Sequence, residues 1–172
     1  MVFGMSLAAY TLIHVVISLI GIGAGLVVLY GFLAGKRLDG INTIFLVSTV
    51  LTSVTGFGFP FEHLGPAHIV GLISLVLLTV AILAWHVFQL TASWRSIYVV
   101  TAATALYLNV FVLVAQCFAK VPALKALAPT QKEPPFAIVQ LLVLLTFAGL
   151  TILSVKRFHP EPAGLQVRPR AA

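Results

Sequence analysis

Charge is what this sequence has least of. Its 172 residues include ten Lys or Arg and only four Asp or Glu, 8% charged in all. A soluble domain carries about 25%, because its surface must face water. An ordinary soluble fold, a disordered chain and a nucleic-acid-binding domain are therefore excluded. Cysteine is nearly absent too. Cys117 stands alone, so no internal disulfide forms, and inside an apolar run it reads as a small packed residue. Carboxylates are missing from every apolar stretch: Asp39, Glu62, Glu133 and Glu161 all fall between or beyond them. Proton pumps and intramembrane aspartyl proteases rely on buried carboxylates, and carboxylate-bridged di-iron bundles need them as well. Those classes are set aside. No phosphate-binding glycine loop, CxxC, HExxH or GxSxG pattern occurs, and an enzyme is not expected.

What the chain has is long apolar runs. Apolar residues make up 60%, and mean hydropathy is +1.12. A helix needs about 20 apolar residues to cross about 30 Å of hydrocarbon. Five runs qualify, at about 7–34, 41–59, 67–90, 97–118 and 136–155. They are continuous rather than alternating, which argues against a β-barrel, and helices satisfy their own backbone in lipid. The expectation is an all-α, integral membrane bundle of five transmembrane helices, a single domain over 1–158, followed by a disordered proline-containing tail over 159–172. The turn Gly35–Gly40, the prolines Pro60 and Pro66, the segment Ser93–Ser96 and the prolines Pro122 to Pro135 separate the runs. Between Pro122 and Pro129 there is room for two turns of helix on the surface.

The few charges orient this bundle. Lys36, Arg37, Arg95, Lys156, Arg157, Arg168 and Arg170 fall on one side, against Lys120, Lys125 and Lys132 on the other. The side richer in Lys and Arg is cytoplasmic, which puts the N-terminus outside and the C-terminus inside. The residues before the first run lack the basic start of a signal peptide, so the first span is expected to be retained. The basic tail is expected to meet membrane lipid rather than nucleic acid.

Small and polar residues mark the packing faces. His14, Ser18, Gly21 and Gly25 form one stripe at helical spacing, and small residues let membrane helices approach. The second run is rich in hydroxyls, from Ser48 to Thr55. Asn109 and Gln116 share a side of the fourth run, and Gln140 lies in the fifth. Together these three amides would be the polar contacts of a small neutral-solute transporter, one of the readings considered.

Histidines are the titratable groups left. His14 lies about two turns inside the first span, while His63 and His68 flank the outer end of the third. His14 and His68 could serve as the axial ligands of one haem b near the outer face, or His14, His63 and His68 could share a metal ion, since imidazole suits both. Against this, His63, His68 and His86 read equally as interfacial residues with polar tips near water, and His14 as a group bonded within the bundle. Phe57, Phe59 and Phe61 alternate in the outer loop, and an extended segment would place them on one face.

The stretches TGFGFPF, GPAHIVGLISL, LYLNVFVLVAQ and FAKVPALKALAPTQKEPPF resemble a family of small, uncharacterised, multi-spanning bacterial inner-membrane proteins, over about residues 8–158. The resemblance implies a bacterial inner (cytoplasmic) membrane and transfers no activity. The expected role is that of a non-enzymatic accessory or scaffold subunit beside another membrane protein, or of a small-molecule binding protein, acting through the outer loops. A b-type haem redox protein is the alternative.

Overall fold

In a computed structural model, residues 4–60 and 65–159 are described. Phe61, Glu62, His63 and the tail expected beyond 159 lie outside them. Six α-helices follow in order: α1 (Leu7–Leu33), α2 (Asp39–Gly56), α3 (Pro66–Ile82), α4 (Trp94–Lys120), α5 (Pro122–Leu127) and α6 (Pro134–Arg157). No strand occurs among the described residues. A turn of π-helix, Leu83–Val87, extends α3.

Local chemistry explains the ends. Ser6 caps α1 by accepting from the Ala9 amide at 3.2 Å, as an N-cap serine does. Gly35, at φ +68°, ends it. The amides of Lys36 and Gly35 then return to the carbonyls of Gly31 and Phe32, at 2.8 and 3.2 Å, which is the Schellman closure that glycine permits. Proline opens α3, α5 and α6, where its missing N–H costs little. The end of α3 had no such punctuation. Gln89, Leu90 and Ala92 all take positive φ, so the helix leaves its apolar run before Leu90 without any glycine or proline to announce it.

The long helices alternate in direction. At one end Thr55 meets His14 and Tyr10, and Phe118 meets Phe136. At the other, Asn42 meets Tyr98, Phe32 meets Phe158, and the Arg37 guanidinium lies 4.4 Å from the Trp85 ring. Central in this arrangement, α4 touches α1, α2, α3 and α6. Its buried face is Tyr98, Val99, Ala102, Ala103, Ala105 and Leu106, and the alanines let neighbours come close.

The expected small-residue stripe faces α2. A Cβ on Gly21 would lie 3.2 Å from Thr49 Oγ1, and one on Gly25 would lie 2.8 Å from Phe45. Polarity is inverted relative to a soluble protein. Asn42, Thr49, Ser53, Ser74 and Gln140 are buried, while Leu12, Leu19, Leu72, Leu142 and Leu145 face outward. Among the described residues, four helices are long and apolar enough to cross a membrane: Leu7–Leu33, Pro66–Val87, Trp94–Lys120 and Pro134–Arg157. The bundle is thus that of a membrane protein, with polar side chains inside and hydrocarbon outside.

Candidate functional site

At the end where α1 begins, an aromatic and imidazole cluster surrounds the end of α2. Tyr10 Oη donates to the Thr55 carbonyl at 2.7 Å, and His14 Nδ1 lies 2.8 Å from Thr55 Oγ1. Thr55 Oγ1 also lies 2.7 Å from the Leu51 carbonyl, to which it donates. A hydroxyl has one proton, so with that proton on Leu51 the imidazole must donate through Nδ1. A neutral His14 then carries its lone pair on Nε2. His68 has the opposite tautomer. Its Nδ1 accepts from the Gly65 amide at 3.1 Å and caps α3, which places the proton of the neutral ring on Nε2.

In the connection after α2, Phe57 and Phe59 do not share one face. The amides of Phe57 and Gly58 bond back to Val54 and Thr55, at 3.1 and 3.0 Å, so the chain turns instead of extending. Phe59 stands edge-on to Tyr10 and His14, with centroids at 5.0 and 5.1 Å. Phe57 turns to α3 and packs on His68 at 5.7 Å. The two histidines therefore rest against different rings. Among the described residues no group of three or more His, Cys, Asp or Glu could hold a metal ion, and the proposed third ligand, His63, lies outside them.

The three in-membrane amides separate. Gln140 is buried and donates through Nε2 to the Phe111 carbonyl at 3.0 Å. Gln131, which sequence reasoning had not singled out, does the same to the Ala115 carbonyl at 2.8 Å. Two amides thus grip successive turns of α4. Asn109 has a buried Nδ2 with no hydrogen-bond partner among the described residues. Gln116 is exposed and does not join them.

The opposite end holds a second cluster that sequence reasoning missed. Arg37 Nε donates to Asp39 Oδ1 at 3.0 Å while its guanidinium covers Trp85. Trp85 packs on Tyr98 at 4.9 Å, and Tyr98 Oη donates to Asn42 Oδ1. Arg95 donates to the Phe158 carbonyl, and Phe158 is fully buried against Phe32. These contacts close the bundle chemically: Tyr98 bonds across to α2 and Arg95 to the end of α6, and the one ion pair among the described residues is capped by an indole. The pairing Arg37–Asp39 was visible as two nearby charges in the turn. Nothing in the sequence connected it to Trp85 or Tyr98. Compared with family models, curated proteins and solved structures, the chain matches none.

Proposed function

We propose that the protein is a five-span protein of a bacterial inner membrane, N-terminus outside, serving as a non-enzymatic accessory or small-molecule-binding subunit through its outer loops. The fifth span in this reading is α2. Its 18 residues extend about 27 Å at 1.5 Å each, close to the hydrocarbon thickness. Its modest apolarity comes from groups that face inward, Asn42, Thr49 and Ser53, while Ile44, Val47, Leu51 and Val54 face out. The orientation follows the basic residues, and the bacterial setting follows the resemblance in TGFGFPF and its companion stretches.

The single observation that carries the functional reading is the half-buried cluster of Tyr10, His14, Thr55 and Phe59. It holds a hydrogen-bonded imidazole among aromatic rings at the end of the bundle where α1 begins, the outer end in this reading. Within the α4–α6 connection, α5 adds an exposed apolar residue, Leu127. The test is purification from the native membrane in mild detergent, with every co-eluting chain and small molecule identified. A partner chain lost in Leu127→Asp, or a ligand lost in His14→Ala, supports the reading. A homogeneous, ligand-free homomer overturns it. For topology, single cysteines at positions 36 and 130 in a Cys117→Ala background should label from opposite sides with an impermeant thiol reagent.

A haem reading has one specific observation in its favour, the Nε2 lone pair that the Thr55 bond leaves on His14. His68 would have to release its Nε2 proton to bind iron through that atom. A Soret band that disappears in His14→Ala is the expected sign, and a colourless preparation overturns it.

A further inference from the structure

From Leu72 to Leu90 the sequence has neither glycine nor proline, yet the regular helix stops at Ile82. Beyond it the turns widen. The Phe88 amide returns five residues, to the Leu83 carbonyl, and the Leu90 amide six, to that of Ala84, both at 3.0 Å. In a regular helix they would reach Ala84 and His86. The Gln89 side chain takes the His86 carbonyl instead, donating through Nε2 at 2.6 Å. Gln89, Leu90 and Ala92 then stand at φ +48°, +58° and +47°. Left-handed backbone disfavours each L-residue by about 5- to 30-fold. Wide helical turns and left-handed residues both concentrate at functional hinges and switch regions. Here they share one segment, where the fold overrides the local preference for helix.

The contacts that hold this form are identifiable. Leu90 is 8% exposed. Phe88 lies flat on Trp94, with ring centroids 3.7 Å apart. Trp85, inside the wide turn, is packed between Arg37 at 4.4 Å and Tyr98 at 4.9 Å. Winding residues 83–90 into α-helix would release all three φ angles. Thr91, Ala92 and Ser93 would remain to reach α4. Three extended residues span about 10 Å, and packed helices lie about 8–10 Å apart, so the chain can close that link.

We propose that the end of α3 is a two-state hinge. In the state of the structure, the wide turn seats Trp85 under Arg37 and Leu90 in the core. In the other, residues 83–90 form regular helix, Trp85 rotates from under Arg37 and the Phe88–Trp94 stack opens. The hinge couples the α3–α4 link to the α1–α2 turn, which carries Arg37. It depends on neither the orientation nor the accessory role.

The test uses the full chain in detergent, its two tryptophans replaced by 5-fluorotryptophan and read by fluorine NMR. Gln89 and Ala92 are exposed, so changing them leaves the core intact, and circular dichroism checks each variant. Glycine accepts positive φ and weakens a helix, so Gln89→Gly and Ala92→Gly should favour the wide turn. A β-branched residue is an outlier at positive φ, so Gln89→Val should favour the regular helix. The ratio of the two states should move about fivefold in opposite directions, seen as paired resonances or as a shift of their weighted mean, in both tryptophans together. Gln89→Val combined with Ala92→Gly should return toward the wild-type spectrum, which a local effect at residue 89 would not do. Spectra that are the same in the valine and glycine variants, a response of one tryptophan alone, or no return in the double variant would each overturn the proposal.

Discussion

Gly25 of α1 faces Phe45 of α2 so closely that a Cβ on the glycine would stand 2.8 Å from the ring and 2.6 Å from Leu106. Phe45 and Leu106 are each 1% exposed, so neither has room to retreat. Overpacking of this kind costs about 1–3 kcal/mol. Gly25→Val is expected to destabilise the bundle by that amount. Gly23, two residues earlier, meets nothing within 4 Å, and Gly23→Ala should be neutral or stabilising by up to about 1 kcal/mol. Unfolding titrations in mixed micelles compare the two. Equal effects would show that helix propensity, rather than the α1–α2 contact, decides.

Tyr98 and Asn42 are joined by a hydrogen bond where both are at most 1% exposed. Asn42 Nδ2 already has no partner among the described residues. Tyr98→Phe would strand Oδ1 as well, at a cost of about 1–3 kcal/mol. Replacing both, as Tyr98→Phe with Asn42→Leu, should recover most of that loss. A double-mutant cycle with no coupling would deny the bond any energetic role.

Arg37 over Trp85 ties the α1–α2 turn to α3. Arg37→Gln removes the cation and the ion pair with Asp39 together. A stability loss of about 0.5–2 kcal/mol is expected from the cation–π contact, with a change in tryptophan emission as the indole loses its cover. Unchanged emission and stability would show that the contact is incidental.

Glu133 precedes α6 and is gripped from its own loop. Desolvation raises its pKa, but hydrogen bonds from the Thr130 hydroxyl and from the amides of Thr130 and Lys132 outweigh this and hold it below the usual carboxylate range. A depressed folded pKa means the carboxylate's contribution is full above the unfolded value and is lost as pH falls through the folded one. Order in the loop between α5 and α6 should therefore persist at neutral pH and fade only in acid below the ordinary carboxylate range. Thr130→Val should move the Glu133 titration, followed by carbon NMR, upward. No upward shift would remove Thr130 as the cause.

Much of the helix layout is legible in the residues alone. The apolar runs locate α1, α3, α4 and α6 within a few residues, because a lipid-facing helix needs unbroken hydrocarbon. The glycine spacing identifies the α1 face that meets α2, because only small residues admit a second backbone. Ends without glycine or proline were not legible. The close of α3 depends on a π-turn and three positive-φ residues, held where Leu90 is buried and Phe88 stacks on Trp94.

The candidate sites divide the same way. That His68 would open a helix followed from its place at the start of the third apolar run; that His14 would bond inside the bundle was one of the readings the residues left open. That His14 would donate to Thr55, or that Phe57 and Phe59 would part toward different histidines, depended on where a turn after α2 sent each ring.

By itself the sequence determined the membrane setting of this protein and the absence of carboxylates from its apolar runs, because both are properties of single residues against a solvent. Only the tertiary structure decided which polar groups meet. Arg37 with Trp85, Asn42 with Tyr98 and Gln131 with Ala115 are pairs between segments well separated along the chain. Their partners are selected by the rotation and register of the packed bundle, which local pattern does not encode.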